Sequence, residues 1–311
     1  MSANNVQESP VRRYTARQRR IREGLIGYGF MMPTVIGFAV FIIYPMIVSA
    51  YYAFTEYMGF GTAKWVGLEN YVWMFTRDPV FIPSILATLR YVVWTVPAVL
   101  AGGLLLALLL NKTMAGIKAF RVIYYLPVVV PGVASLVMWK FIFEPDFGLL
   151  NGLLALVGLP PFRWLQDTSV IFQALTVIAL WSCGGGMIIF LAGLQSVPAE
   201  LYEAADIDGA GGARKFFGIT VPLMTPVLFL QLITGLIGGF QVMNPALVVT
   251  GGGPNLATNF LNFQIYRSAF DRREYGYAMA LVWVLFFIIM LFTVIVFRSS
   301  ESYVYYESEN S

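Results

Sequence analysis

The sequence contains no histidine and only one cysteine, Cys183. A single thiol rules out a disulfide framework, and the lack of imidazole rules out a Cys/His zinc site, a His-based triad and a haem held by His. Charge is scarce as well: Asp, Glu, Lys and Arg form 12% of the 311 residues, and 20 basic against 17 acidic side chains leave a net +3. So small an excess gives no electrostatic footprint for a nucleic-acid partner. What is present is apolar, with 58% hydrophobic residues, 16% aromatic residues and a mean hydropathy of +0.72. This is a membrane composition, and most of the chemistry such a chain serves is expected on another polypeptide.

A charge at mid-bilayer costs about 2.5–3.5 kcal/mol, so uncharged intervals of about 18 residues or more mark candidate spans. Six occur: 24–55, 91–111, 122–139, 168–199, 216–266 and 275–297. The fifth is long enough for two spans, but Pro245, Gly251 to Gly253 and Pro254 in its second half would free backbone groups that lipid cannot satisfy. One helix and a loop are therefore expected there. The predicted organisation is all-α and polytopic, with a membrane domain 24–298 between a basic tail 1–23 and a C-terminal tail 299–311. Its six transmembrane helices fall at about 26–54, 86–110, 122–143, 168–194, 223–243 and 276–297. The uncharged piece 147–162 ends in Pro160 and Pro161, is too short to span, and reads as interfacial.

Arg12, Arg13, Arg17, Arg19, Arg20 and Arg22 precede the first span, and an even number of spans then places both termini in the cytoplasm. Lys112, Lys118, Arg121, Arg214, Lys215 and Arg298 fall on the same side. Arg12 and Arg13 also match the start of a twin-arginine export signal, but an uncharged stretch of 32 residues follows in place of a short apolar region with a cleavage site. Arg90, Lys140 and Glu144 are expected at outer helix ends, where long side chains snorkel to the headgroups.

No Asp or Glu lies inside an expected span, which disfavours an ion-coupled secondary transporter, the main alternative function. No GxxxxGK[ST] phosphate loop occurs; Gly184 to Gly186 and Gly211 to Gly212 read as helix packing and a turn. A membrane enzyme is equally hard to build, because Glu200, Glu203, Asp206 and Asp208 have no partnering His, Cys or metal constellation.

The informative loop runs from Ser196 to Pro226. Pro198 suits a first helical turn, Glu200 complements the positive end of its dipole, and Gly209, Gly211 and Gly212 end it. A second short helix is expected from about Ala213 to Ile219, before Pro222 turns the chain into the fifth span. On the first helix Leu201, Ala204 and Ala205 share a face at i, i+3 and i+4, with Tyr202 flanking and Glu203 alongside. By composition alone this is either a docking plug or an ordinary interfacial helix.

The loop resembles the EAA motif of ABC importer permeases, EAAxxDGA followed by Ile and a Leu-Pro pair. The chain supplies Glu203, Ala204, Ala205, Asp208, Gly209, Ala210, Ile219 and Pro222, with Val221 in place of Leu. VGLENYVWMF, YYLPVVVPGVASLVMWKFIFEPDFGLLN and FQVMNPALVVTGGGP extend the similarity over nearly the whole chain, toward the carbohydrate-uptake branch of maltose-type and glycerol-phosphate-type permeases. The last segment is similar to that of the first of two paired permeases, departing at Met243, Asn244 and Pro245.

The resemblance implies a type I ABC importer permease fold in a bacterial or archaeal cytoplasmic membrane. It implies a second permease subunit, two copies of a cytoplasmic ATP-binding subunit, an external solute-binding protein and a sugar-type solute. No cofactor or metal would be bound by this chain, ATP and Mg²⁺ residing on the ATPase. The coupling loop would be 196–222. Within it Glu203 pairs with a basic group of the ATPase, Gly209 forms the turn that lets the helix stand proud, and Leu201, Ala204 and Ala205 pack in the ATPase cleft; Asp208 and Ala210 complete the motif. Candidate substrate-path residues are Trp181, Gly186, Phe240, Gln241 and Asn244, which offer the aromatic faces and amides that hold sugars; packed helix interfaces or an aromatic belt would use the same residues.

Overall fold

The computed structural model describes residues 16–112 and 114–300, in two compact units, 1–51 and 52–311. In the first unit the described residues form one helix, which closes at the start of the second; α1 runs from Ala16 to Tyr52 through a π-helical turn at Ala39–Ile43. Its apolar part, Glu23–Tyr52, is long enough to cross a bilayer.

The second unit begins with a small hairpin, β1 (Thr55–Glu56) antiparallel to β2 (Lys64–Trp65), and a short helix, α2 (Glu69–Thr76). Helix α3 (Phe81–Leu110) then runs for 30 residues, about 45 Å at the α-helical rise. It starts five residues before the expected 86–110, and Arg90, the charge that bounds the uncharged interval, lies inside α3 with its side chain exposed.

The interval expected as a third span is two helices, α4 (Ile117–Val129) and α5 (Gly132–Ile142), bent by 95°. Pro131 cannot donate to the ladder and forces Val130 into extended backbone (φ −67°, ψ 131°). The short α6 (Leu149–Leu156) follows in the piece read as interfacial. Its Asn151 is buried; Nδ2 donates to the carbonyls of Pro145 and Phe162, and Oδ1 accepts from Phe162 N and Trp164 Nε1 at 2.9–3.1 Å.

The fourth span is likewise broken, into α7 (Ile171–Trp181) and α8 (Gly184–Ser196), bent by 58°. Before α7, the Asp167 carboxylate accepts from the N–H and hydroxyl of Ser169 at 2.8 Å, which holds it below the usual carboxylate range. At the break, a Cβ on Gly184 would lie 2.0 Å from the carbonyl oxygen of Tyr124, so only glycine lets α8 approach the α4 backbone this closely. After α9 (Ala199–Ile207), α10 extends unbroken over Gly212–Phe240. The second short helix expected before Pro222 is therefore the base of the fifth span. A π-helical turn at Phe216–Thr220 lets the helix continue past Pro222, whose missing N–H would interrupt α-helical bonding. A loop follows with α11 (Leu261–Tyr266), and α12 (Tyr275–Ser300) forms the last span.

Helix α3 is the centre of the bundle, packed against α7, α8 and α10. Val92, Val96, Phe240, Leu281 and Leu285 form one buried cluster; Ala107, Met187, Phe190 and Met224 form another toward the opposite end. In a bilayer such contacts depend on close fit rather than expulsion of water. A Cβ on Gly239 would lie 3.0 Å from Val96 and 3.2 Å from Val92, so α10 sits against α3 so closely that an added methyl would have to push the valine side chains aside.

Candidate functional site

Two features stand apart from this packing. The first is the connection between α8 and α10. Pro198 caps α9 with φ −58° and ψ 130°, and Glu200 occupies the first turn. The helix closes with Asp208 N bonded to Ala204 O at 3.1 Å and Ala210 N to Ala205 O at 2.8 Å. Gly209 reverses the chain at φ +70°, left-handed backbone that side-chain-bearing residues rarely adopt.

Leu201, Glu203 and Ala204 are exposed on α9, while Ala205 and Ala210 are half-buried and Asp208 is exposed. Tyr202 does not share the exposed face. Its hydroxyl lies 2.8 Å from Thr220 Oγ1, and Lys215 Nζ meets Asp206 Oδ1 at 2.7 Å. Both contacts fasten α9 to the base of α10. Ile207 is 88% exposed and Phe217 70% exposed. Neither was singled out in the sequence, although an Ile and a Phe beside a polar helical turn were visible there.

The second feature is a cavity of about 460 Å³ between α3, α7, α8 and α10. Tyr91, Thr95, Ser182, Cys183, Gly186, Gln231, Thr234, Gly235 and Gly238 line it. The bend between α7 and α8 opens it, since Ser182 and Cys183 lie at the break. Of the residues proposed from sequence, Gly186 lines this cavity; a Cβ there would sit 3.0 Å from Gln231 Nε2. Trp181 is 43% exposed, its ring edge-on to Trp139 at 5.9 Å. Gln241 and Asn244 are exposed beyond the end of α10, where the Gln241 carbonyl accepts from Asn262 Nδ2 at 2.6 Å.

Phe240 is different. It is 1% exposed and packs among Val92, Val96 and Leu281 with its ring 5.0 Å from Phe292. An aromatic at the end of α10 reads equally as a sugar platform or as core, and burial makes it core. The polar pairs Tyr91/Thr95 and Gln231/Thr234, at i, i+4 and i, i+3 in otherwise apolar helices, were the overlooked signal for the cavity.

The family described as binding-protein-dependent transport system inner membrane component matches residues 99–301, from the middle of α3 to the end of α12. This chain belongs to that family. As a member it is 38% identical over 298 residues to the probable ABC transporter permease protein YesP of Bacillus subtilis, covering 94% of this chain and 96% of that protein. The sulfoquinovosyl glycerol transport system permease protein SmoG of Agrobacterium fabrum is 31% identical over 297 residues, 94% of this chain and 96% of the relative. The trehalose/maltose transport system permease protein MalF of Thermococcus litoralis is 31% identical over 279 residues, 89% of this chain and 94% of the relative.

The fold matches a chain of the crystal structure of a bacterial ABC transporter that imports the acidic polysaccharide alginate. The TM-score is 0.80 at 23% identity, over 93% of this chain and 99% of that one. The fold is therefore the all-α permease fold of these transporters, and the protein is an inner-membrane permease subunit of a binding-protein-dependent ABC transporter. Like its permease relatives, it is a transport component and not an enzyme.

Proposed function

We propose that this permease pairs with a second permease to form the path for a sugar or sugar derivative. An external binding protein delivers the solute, and two cytoplasmic ATPases drive the cycle through α9. The observation that carries the reading is the α9 geometry: a short helix held off the bundle by Pro198 and Gly209, exposing Leu201, Glu203, Ala204 and Ile207. Leu201, Ala204 and Ile207 would seat in the ATPase cleft and Glu203 would meet a basic group there. Asp208, Gly209 and Ala210 form the turn. Both termini would then be cytoplasmic, and ATP with Mg²⁺ would stay on the partner.

Sugar transport is supported by the names of the relatives, which include trehalose/maltose and sulfoquinovosyl glycerol systems. The cavity adds chemistry that suits hydroxyl-rich solutes, with the Gln231 amide, the Thr234 hydroxyl and the Tyr91 ring on its wall. Gly186 lines that path, and Trp181, Gln241 and Asn244 would act near it.

In proteoliposomes holding the assembled transporter, Glu203→Lys should leave the chain in the membrane and greatly reduce both sugar uptake and binding-protein-stimulated ATP hydrolysis. Wild-type uptake and stimulation in that variant would sink the docking role.

A further inference from the structure

The cavity between α3, α7, α8 and α10 has one wall that packing alone does not explain. On α10, Gln231, Thr234, Gly235 and Gly238 line it at i, i+3, i+4 and i+7, so one side of the helix carries an amide, a hydroxyl and then bare backbone. The Gln231 amide extends toward α8, since a Cβ on Gly186 would lie 3.0 Å from its Nε2. Tyr91 and Thr95 of α3 and Ser182 at the α7–α8 break complete the polar lining.

Four glycines line the cavity, and three of them have a neighbour that an added side chain would press. A Cβ on Gly186 would lie 3.0 Å from Gln231, one on Gly235 3.2 Å from Val96, and one on Gly239 3.0 Å from Val96. Gly238 is different. A Cβ there would meet nothing within 4 Å, its φ lies outside the left-handed region, and it is exposed where the adjacent Gly239 is buried. Glycine within a helix is less stable than alanine, because it loses more backbone freedom on ordering. Neither backbone conformation nor packing within this chain requires glycine at 238, so what the residue provides is room in the cavity.

We propose that Gly238 sets the size of solute that the path admits, by leaving open backbone on which a second sugar ring lies, and that this permease serves saccharides of two or more rings. The proposal rests on the sugar-path reading of the cavity given above and names its substrate class. A saccharide is held by hydrogen bonds to its hydroxyls and by surfaces laid against its rings. Gln231 and Thr234 supply the hydrogen bonds one to two turns below Gly238, and bare backbone lets a ring come closer to the helix than any side chain would. At about 460 Å³ the cavity falls within the roughly 300–1,000 Å³ of pockets that enclose drug-sized ligands, a size that a disaccharide shares.

The test compares Gly238→Ala, Gly238→Leu and Gly239→Ala in the assembled transporter, in proteoliposomes with its binding protein. It follows uptake of neutral gluco-, xylo- and arabino-saccharides of one to four rings, together with Tm. Gly238→Ala should hold or raise Tm while lowering uptake of the larger sugars. Gly238→Leu should lower uptake more steeply the more rings a sugar has, by about tenfold for the largest sugar that the wild type takes. Gly239→Ala, which presses on Val92 and Val96, should instead lower Tm. A lower Tm for Gly238→Ala, or loss of the second permease from the purified Gly238→Leu complex, would make Gly238 a helix-packing glycine and overturn the proposal. Uptake that falls equally for every size, or does not fall, would overturn it too, as would a wild-type complex that takes single-ring sugars alone. Wild-type uptake of none of these sugars would overturn the sugar-path reading itself.

Discussion

Gly209 is the residue on which the exposed position of α9 turns. Its φ is +70°, and a Cβ there would meet nothing within 4 Å, so Gly209→Ala is strained by backbone conformation alone. The cost is about 1 kcal/mol, enough to populate other loop geometries without unfolding a membrane bundle. Gly209→Ala should therefore keep normal membrane levels and thermal stability but lose stimulated ATP hydrolysis several-fold. Undiminished stimulation would reduce Gly209 to a helix stop. Gln231 and Phe240 give the complementary pair: Gln231→Ala should shift uptake selectivity at nearly wild-type Tm, measured by competition among sugars. Phe240→Ala, by emptying a packed site, should cost about 3–5 kcal/mol and lower Tm. The sequence showed both as residues of one apolar helix; only burial separates the wall of the cavity from the core.

At the scale of elements, two contacts join α9 to α10: Tyr202 to Thr220 at 2.8 Å and Asp206 to Lys215 at 2.7 Å. The ion pair is partly exposed, with side chains 62% and 24% accessible, and such a pair contributes only about 0.5 kcal/mol to stability. Its effect is expected on transmission. Because α10 is continuous from Gly212 to Phe240, the proposed movement of α9 would reach the cavity wall at Gln231 through one helix. Tyr202→Phe combined with Lys215→Met should lower ATP-coupled uptake more than the single changes predict, while leaving basal hydrolysis intact. Additive losses would mean that the two contacts act separately.

The α9 helix was legible because Pro198, Glu200 and the glycines punctuate it locally. Continuity of α10 through Pro222 was not, since it depends on a π-helical turn that no residue type announces. The breaks at Pro131 and Ser182 were hidden for another reason: freedom from charge marks what can lie in lipid, and says nothing of whether the helix is straight.

At the scale of the whole molecule, α3 anchors the described bundle, the cavity opens where α7 and α8 bend away from each other, and α9 stands at one end. Composition and the spacing of charges foretold an all-α membrane protein. The order of helices around α3 needed the structure, because the contacts that set it, such as Gly239 on Val92 and Val96, join residues far apart in sequence. The central claim is that α9 is seated in an ATPase and moves with it. Cys183 is the only native cysteine and is buried, so a Cys183→Ala, Leu201→Cys chain carries one reactive thiol. The most direct measurement is thiol cross-linking of that chain to single cysteines along the ATPase cleft, within the assembled transporter, with and without ATP. The account predicts a cross-link to the cleft whose partner position changes on ATP binding. Failure of Leu201→Cys to cross-link to any cleft position, in a complex that still transports, would contradict it.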